Sequence, residues 1–217
     1  MSIAHKTRLL AAALTVSAAA FAAAPASAAI LDFTDTANHS YTGTFLGVGY
    51  TITTTPAGSL TFNVPQDGST CGGHGLACEG DGLGIVDDEV SAGKEVLTIT
   101  FDKAIMITGL YFLDLFTSVD ESEREAGTVH YDGGSLGFIA DLAEKPNGTS
   151  GFLFVNLAHS PITTSFLSFV VDVGNDSIGI GDYAVAAVSS VPLPPAALLF
   201  GGALAGLGFL SRRKKAA

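Results

Sequence analysis

Apolar and polar residues alternate with a period of two in the middle of this chain, and this alternation constrains the fold more than any other feature. Leu97, Ile99 and Phe101 are separated by Thr98 and Thr100, and residues 167–173 repeat the pattern. Residues two apart share one face of a strand, whereas the apolar face of a helix follows a period of about 3.6. Both runs are therefore predicted to be strands with one buried face.

Further short runs rich in Thr, Val, Ile and Phe lie between clusters of Gly, Asp and Asn, a pattern typical of β-proteins. They predict strands at residues 30–33, 50–55, 59–64, 95–101, 105–115, 127–131, 137–140, 151–157, 165–173 and 183–188. Their spacing predicts an all-β fold, a two-sheet sandwich. Its sheets are expected to share an aromatic layer of Phe112, Phe116, Phe152, Phe154 and Phe166.

The N-terminus has the three parts of a signal peptide. Lys6 and Arg8 precede an apolar run at residues 9–24, and Ala26-Ser27-Ala28 supplies the small-x-small pattern for cleavage. Residues 1–28 are therefore predicted to be removed after Ala28. The alternative is a retained anchor, which the weakly inserting Ala-rich run disfavours.

The C-terminus has a short apolar run at residues 196–210. Because the run is apolar throughout, it is predicted to be a transmembrane helix. The helix would be short, since it would rise about 22 Å against a hydrocarbon core of about 30 Å. Arg212, Arg213, Lys214 and Lys215 follow it and are expected to stay in the cytoplasm. A plain C-terminal anchor would have the same topology.

The region between these ends is strongly acidic. Residues 30–190 keep four of the ten Lys and Arg and all 21 Asp and Glu, so their net charge is 4 − 21 = −17. Such a surface repels nucleic acid and anionic lipid. It suits divalent cations, although an acidic surface that only keeps the protein soluble is the simpler interpretation.

The two cysteines, Cys71 and Cys78, lie in the short segment CGGHGLAC. Export through an oxidising compartment favours a disulfide between them. A loop this short is expected to contribute about 2 to 3 kcal/mol. The alternative is a zinc site completed by His74 and Asp81.

A second candidate metal site lies in the Gly- and Asp-rich stretch 65–93, which is predicted to be a long loop. Its residues are Asp81, Asp87, Asp88 and Glu89, with Asp182 contributing from the start of the last strand. Carboxylate oxygens on a flexible backbone are ligands that calcium prefers, although the spacing is not that of an EF-hand. The alternative is a solvated acidic loop.

Residues 133–137 match the pattern G-x-S-x-G of hydrolase nucleophiles, and Asp141 and His159 follow in the right order. That motif requires a strand, a turn and a helix. Here Asp132, Gly133 and Gly134 instead predict the turn of a hairpin between two strands. The chain is therefore predicted not to be an enzyme.

The tail VPLPPAALLFGGALAGLGFLSRRKK closely resembles the VPLPA variant of the PEP-CTERM sorting signal, which exosortases process in Gram-negative bacteria. Val191, Pro192, Leu193 and Pro194 match the motif, and Pro195 stands where the family has alanine. Prolines keep such a motif extended and accessible. Residues 191–217 are thus identified as a sorting signal, with the position of the cut left open.

The resemblance implies that the protein crosses the inner membrane, is anchored there transiently, and then reaches the cell surface or the extracellular space. It also implies an exosortase-type partner and association with exopolysaccharide and biofilm. Residues 82–116 are similar to the ectodomains that precede such signals, which implies a jelly-roll-like sandwich for residues 29–190.

Two function classes remain from the sequence. A structural protein of the cell surface or extracellular matrix is favoured. A calcium-dependent carbohydrate-binding module is the alternative, although tryptophan is absent and five tyrosines are present to stack on sugars.

Overall fold

The structure is a computed structural model that describes residues 28–58, 60–62, 64, 71, 74–86, 89–117, 124–141, 151–172 and 181–191. These residues belong to a compact unit, Ala28–Val191. The strands are β1 (Ala29–Asp32), β2 (Thr42–Phe45), β3 (Val48–Thr55), β4 (Leu60–Thr61), β5 (Gly84–Ile85), β6 (Val90–Ser91), β7 (Val96–Leu113), β8 (Ala126–Tyr131), β9 (Gly134–Ile139), β10 (Leu153–Asn156), β11 (Ile162–Val171) and β12 (Asp182–Ser190), with one 3₁₀ turn at Thr36–Asn38.

The architecture is almost wholly β, as the sequence predicts. Ten strands form an antiparallel sheet in which β1-β12-β7-β11-β8-β9 are consecutive neighbours, and β4 and β5 form a small second sheet. β2, β3, β6 and β10 join the large sheet beside this path. The arrangement is consistent with a β-sandwich.

β7 is the organising strand. Its first half pairs with β3, its second half pairs with β12 and β10, and β11 pairs with residues 97–100 and 105–107, on both sides of the middle. The sequence predicts two strands here, and that prediction is wrong because one 18-residue strand runs through Asp102, Lys103 and Ala104. These three consecutive residues are all exposed, which interrupts the alternation without ending the strand.

The predicted buried faces are confirmed. Leu97, Ile99 and Phe101 of β7 are at most 3% exposed. On β11, Leu167 and Phe169 are fully buried and Val171 is 8% exposed, while Val173 lies outside the described residues. Burying one side of each strand in this way removes apolar surface from water and supplies most of the stabilisation.

The aromatic core differs from the predicted layer. The ring of Phe112 stacks on that of Phe138 with centroids 4.0 Å apart, and it contacts the rings of Phe169 and Tyr183 edge-on. Side chains from β7, β9, β11 and β12 therefore meet in one cluster. Of the predicted set, Phe112 alone belongs to this core. Phe152 and Phe154 instead pack in a second cluster, and Phe116 and Phe166 are half-buried outside both clusters.

The long stretch 65–93 is more structured than predicted. β5 and β6 lie within it, and Leu83 forms a bridge to Val185 of β12. Residues 80–85 are all buried. The high glycine content predicts a loop, but Gly82 has a packing role instead. Its backbone lies so close to β12 that a Cβ atom would be 2.5 Å from the Val185 carbonyl oxygen.

An irregular bulge of β7 separates the two stretches of the β7–β11 pairing. Thr164 pairs with Ile105 and Phe166 pairs with Thr100, so residues 101–104 of β7 face the single residue Ser165. The Ser165 amide and hydroxyl both donate to the Asp132 carboxylate at 2.6 Å. Asp132 therefore takes the place of the missing ladder partner.

Candidate functional site

Residues 71 and 74–78, the described part of the disulfide-closed segment, lie against one side of β7 and β12. Cys71 and Cys78 form a disulfide with a Cα–Cα distance of 5.8 Å. The apolar group beneath it, here called the outer cluster, consists of Cys71, Tyr111, Leu113, Ala184, Ala186 and Ala187, with Ile30, Leu76, Cys78, Phe152 and Phe154 packed against it. The small alanines of β12 leave room for this covering segment.

Hydrogen bonds tie the disulfide segment to the end of β1. The Asp32 carboxylate accepts from the Ala77 amide at 2.6 Å and from the Thr34 hydroxyl at 2.6 Å. The buried Thr34 hydroxyl in turn accepts from the Cys78 amide at 3.0 Å. The Ala77 and Cys78 amides thus bond to protein groups in place of water. These hydrogen bonds fix the position of the disulfide segment relative to β1.

Glu79 continues this network on the surface. Its carboxylate accepts from the Thr36 hydroxyl at 2.6 Å and from the Thr36 amide at 3.2 Å. These two hydrogen bonds, the hydroxyl bond first, lower the pKa of Glu79 below its ordinary value of 4.5. The negatively charged form of Glu79 therefore holds the 3₁₀ turn beside the disulfide segment.

Aromatic rings line the rim of the outer cluster. His74 stacks on Phe152 with ring centroids 4.2 Å apart, and Phe154 stacks on Tyr111 at 4.5 Å. His74 is exposed, Phe152 and Phe154 are half-buried, and Tyr111 is buried. The rings cover each other's faces, so this rim mainly seals the cluster against water.

The predicted calcium ligands are only partly described. Asp81 is 2% exposed in the buried segment 80–85, Glu89 precedes β6, and Asp182 opens β12 opposite Ser91. Asp87 and Asp88 lie outside the described residues. Within the residues that the structure describes, no group of three or more His, Cys, Asp or Glu side chains is arranged to hold a metal ion.

The G-x-S-x-G segment forms a hairpin, as predicted. Tyr131 pairs with Gly134 across the two-residue turn, and Ser135 of β9 lies opposite His130 of β8. Gly133 has a φ of +91°, which suits the turn. Ser135 is thus an exposed strand residue, and His159 lies in a separate exposed turn after β10.

The predicted terminal motifs lie mostly outside the described residues. The residues outside are Ala26, the prolines of the sorting motif and the basic cluster 212–215. Ala28 and Val191 are the first and last residues that the structure describes. Among the described residues, no helix is long and apolar enough to span a membrane.

The network from Asp32 and Thr34 to residues 77–80 was not foreseen from the sequence. It joins positions more than 40 residues apart. Aspartate and threonine near a strand end normally bond to their own neighbours, and Asp32 does accept from the Thr34 amide at 2.9 Å. The sequence signal therefore indicates a local turn and does not reveal the distant partner.

Fold and site together define an all-β domain with a disulfide-closed segment sealed over a second apolar cluster. No protein-family model matches the chain, and no curated protein or solved structure matches it either.

Proposed function

We propose that the chain is an exported protein of the cell surface or extracellular matrix, with a structural role, released from a transient membrane anchor by an exosortase-type enzyme. The observation that carries the proposal is the order of features in the tail. Val191-Pro192-Leu193-Pro194 precedes an apolar run, and Arg212, Arg213, Lys214 and Lys215 follow it.

Features of the domain support an extracytoplasmic location and a structural role. The disulfide between Cys71 and Cys78 suits an oxidising compartment. The antiparallel pairing around β7 supports a jelly-roll-like two-sheet sandwich as the finer description of the fold. Ser135 in a hairpin supports a structural role over hydrolysis, because the elbow motif needs a following helix.

The test compares cells with and without the exosortase-type enzyme. In cells lacking it, we expect the chain to accumulate at the inner membrane with its tail intact, and in the parent cells to appear shortened outside. Replacing Pro192 and Pro194 by Ala should reproduce the retained form, whereas Pro25→Ala, in the signal peptide, serves as a proline control. Identical location and mass in both strains would contradict the proposal.

A carbohydrate-binding module is the second candidate function. Phe166 favours it, because this ring lies outside both apolar clusters on the side of β11 opposite Leu167. A partly exposed aromatic ring on a polar sheet face is a typical contact for a sugar ring.

We also propose calcium as the ligand of the acidic segment that runs along β12. Asp81 and Glu89 flank the residues bridged to this strand, and Asp182 begins it. Asp87 and Asp88 are predicted to complete the oxygen ligands, since calcium takes six to eight.

A further inference from the structure

We infer that hydrolysis of the Ala28–Ala29 peptide bond supplies the substrate for the cut at the sorting motif, because both sites lie at one corner of the domain. This inference rests on the proposed processing by an exosortase-type enzyme and adds a regulation of that same site. In the first reaction, water splits the amide and leaves a carboxylate on Ala28 and an ammonium group on Ala29.

The register of β1 and β12 brings the two ends of the domain together. These strands are antiparallel, with Ala29 opposite Ser190 and Asp32 opposite Ala187. The Cα atoms of directly paired residues are about 4.5 to 5.5 Å apart. The first residue of β1 and the last residue of β12 are therefore neighbours.

No spacer separates either processing site from this corner. β1 begins at Ala29, directly after the predicted cleavage, and the sorting motif begins at Val191, directly after the end of β12. Ser190 is 1% exposed and pairs with Ile107 of β7 on its other side. The sheet thus holds the chain up to the residue before the motif.

Strand β1 is held in this position by burial and by hydrogen bonds beyond the ladder. Leu31 is 4% exposed and belongs to the main core. The Phe33 amide donates to the Ala186 carbonyl at 2.8 Å, and the Asp32 carboxylate accepts from the Ala77 amide. These contacts oppose detachment of β1. β1 is therefore expected to stay beside β12 whether or not the signal peptide is attached.

An attached signal peptide would obstruct the sorting motif. Its chain joins the domain at the exposed residue Ala28, and the motif starts at Val191, about one strand spacing of 4.8 Å away. A processing enzyme has to surround the segment that it cuts, and a second chain at this distance takes up one side of that segment. After hydrolysis only the small ammonium group of Ala29 remains at the corner.

The order of the strands favours the same order of reactions. β12 is the last strand in the sequence, so β1 has no partner at this corner until the rest of the domain has crossed the membrane. The Ala28–Ala29 bond is accessible during that time. The sorting motif follows β12, so it reaches its enzyme only when the corner is able to form.

The first experiment blocks signal-peptide removal and follows the tail. Ala26→Phe with Ala28→Phe replaces the small residues that cleavage requires and leaves every strand unchanged. In cells that have the exosortase-type enzyme, the intact mass of this variant should show both the signal peptide and the tail, whereas the parent protein should lose both. Ala24→Phe is the matched control, since it adds a ring but keeps the small-x-small pattern, and it should be cut at both ends.

A spacer distinguishes crowding at the corner from other causes. About six Gly and Ser residues inserted between Ser190 and Val191 extend up to about 20 Å. Added to the doubly substituted variant, they should restore the tail cut while the signal peptide stays attached. The same insertion between Gly133 and Gly134, in the exposed hairpin turn before the edge strand β9, is the control and should not restore it.

The outcomes separate this inference from the proposed function. A cut tail on the doubly substituted variant would overturn the inference, as would a tail that stays intact despite the spacer at Ser190 or is cut after the control insertion as well. These results leave the proposed function in place, because the tail of the parent protein is still cut. An intact tail on the parent protein would contradict the proposed function itself.

Discussion

At the scale of single residues, Asp132 shows how an irregular sheet is stabilised by one side chain. The bulge at Ser165 leaves that residue's amide without a ladder partner, and the Asp132 carboxylate accepts from it. Hydrogen bonds from the Ser165 hydroxyl and then its amide lower the pKa of Asp132 below its ordinary value of 3.8. The turn predicted at Asp132 is present. The contact of Asp132 with Ser165 depends on the bulge, and no sequence pattern predicts that bulge.

The lowered pKa of Asp132 predicts an acid-dependent loss of stability. Because the charged form is favoured in the folded state, its contribution is fully present above pH 3.8 and is lost as the pH falls through the lowered folded value. Asp132→Asn should therefore lower the melting temperature at pH 7, and the difference from the parent protein should shrink toward pH 2. Asp102→Asn, an exposed change on β7, is the control. A difference that stays constant with pH would contradict this role.

Gly127 and Gly137 form a matched pair on the neighbouring strands β8 and β9. A Cβ atom at Gly127 would lie 2.6 Å from Phe138 and 2.7 Å from Tyr183, whereas one at Gly137 would meet nothing within 4 Å. Gly127→Ala should destabilise the fold by about 1 to 3 kcal/mol through overpacking. Gly137→Ala should leave the free energy of unfolding in urea nearly unchanged or raised. Equal effects of the two changes would show that the aromatic core is loosely packed at this point.

At the scale of elements, the disulfide segment is expected to act as a local cover. Replacing both Cys71 and Cys78 by Ser should cost about 2 to 3 kcal/mol in the free energy of unfolding. It should also increase binding of an apolar dye, because the outer cluster beneath would be uncovered more often. Reduction of the parent protein with a dithiol should reproduce both effects. No change in dye binding would mean that the hydrogen bonds to Asp32 and Thr34 suffice to hold the segment.

The acidic segment along β12 predicts a selective response to calcium. Calcium should raise the melting temperature by several degrees, and magnesium should raise it less because it requires a smaller, more rigid octahedral shell. Asp182→Asn should remove the calcium effect, and Asp102→Asn should not. Identical melting curves with calcium and with a chelator would end the calcium proposal.

The sequence predicts long strands well and short ones poorly. Leu97, Ile99 and Phe101 alternate for long enough to identify their strand. β5 and β6 have only two residues each, and they depend on distant partners, β4 for β5 and β12 for β6. The sequence predicts two strands in place of β7 because three polar or small residues, Asp102, Lys103 and Ala104, interrupt the alternation. Burial on both sides of the second half, at Phe112 and Tyr111, also hides the alternation there.

At the scale of the whole molecule, the separation of charge from apolar sequence is the main organising feature. The acidic residues lie between positions 30 and 190, and the longest apolar runs lie in the two ends. Mutual repulsion among 21 acidic side chains opposes compaction, and salt screens it over about 10 Å or less. Added sodium chloride should therefore raise the melting temperature, as measured by circular dichroism. A fall in melting temperature with salt would mean that attractive ion pairs dominate.

The intact mass of the protein recovered from its own cells tests the central claim most directly. The account predicts a chain that begins at Ala29, ends within residues 191–195 before any attached group, carries one disulfide, and is found outside the inner membrane. A soluble cytosolic chain that retains both Met1 and Ala217 would contradict it.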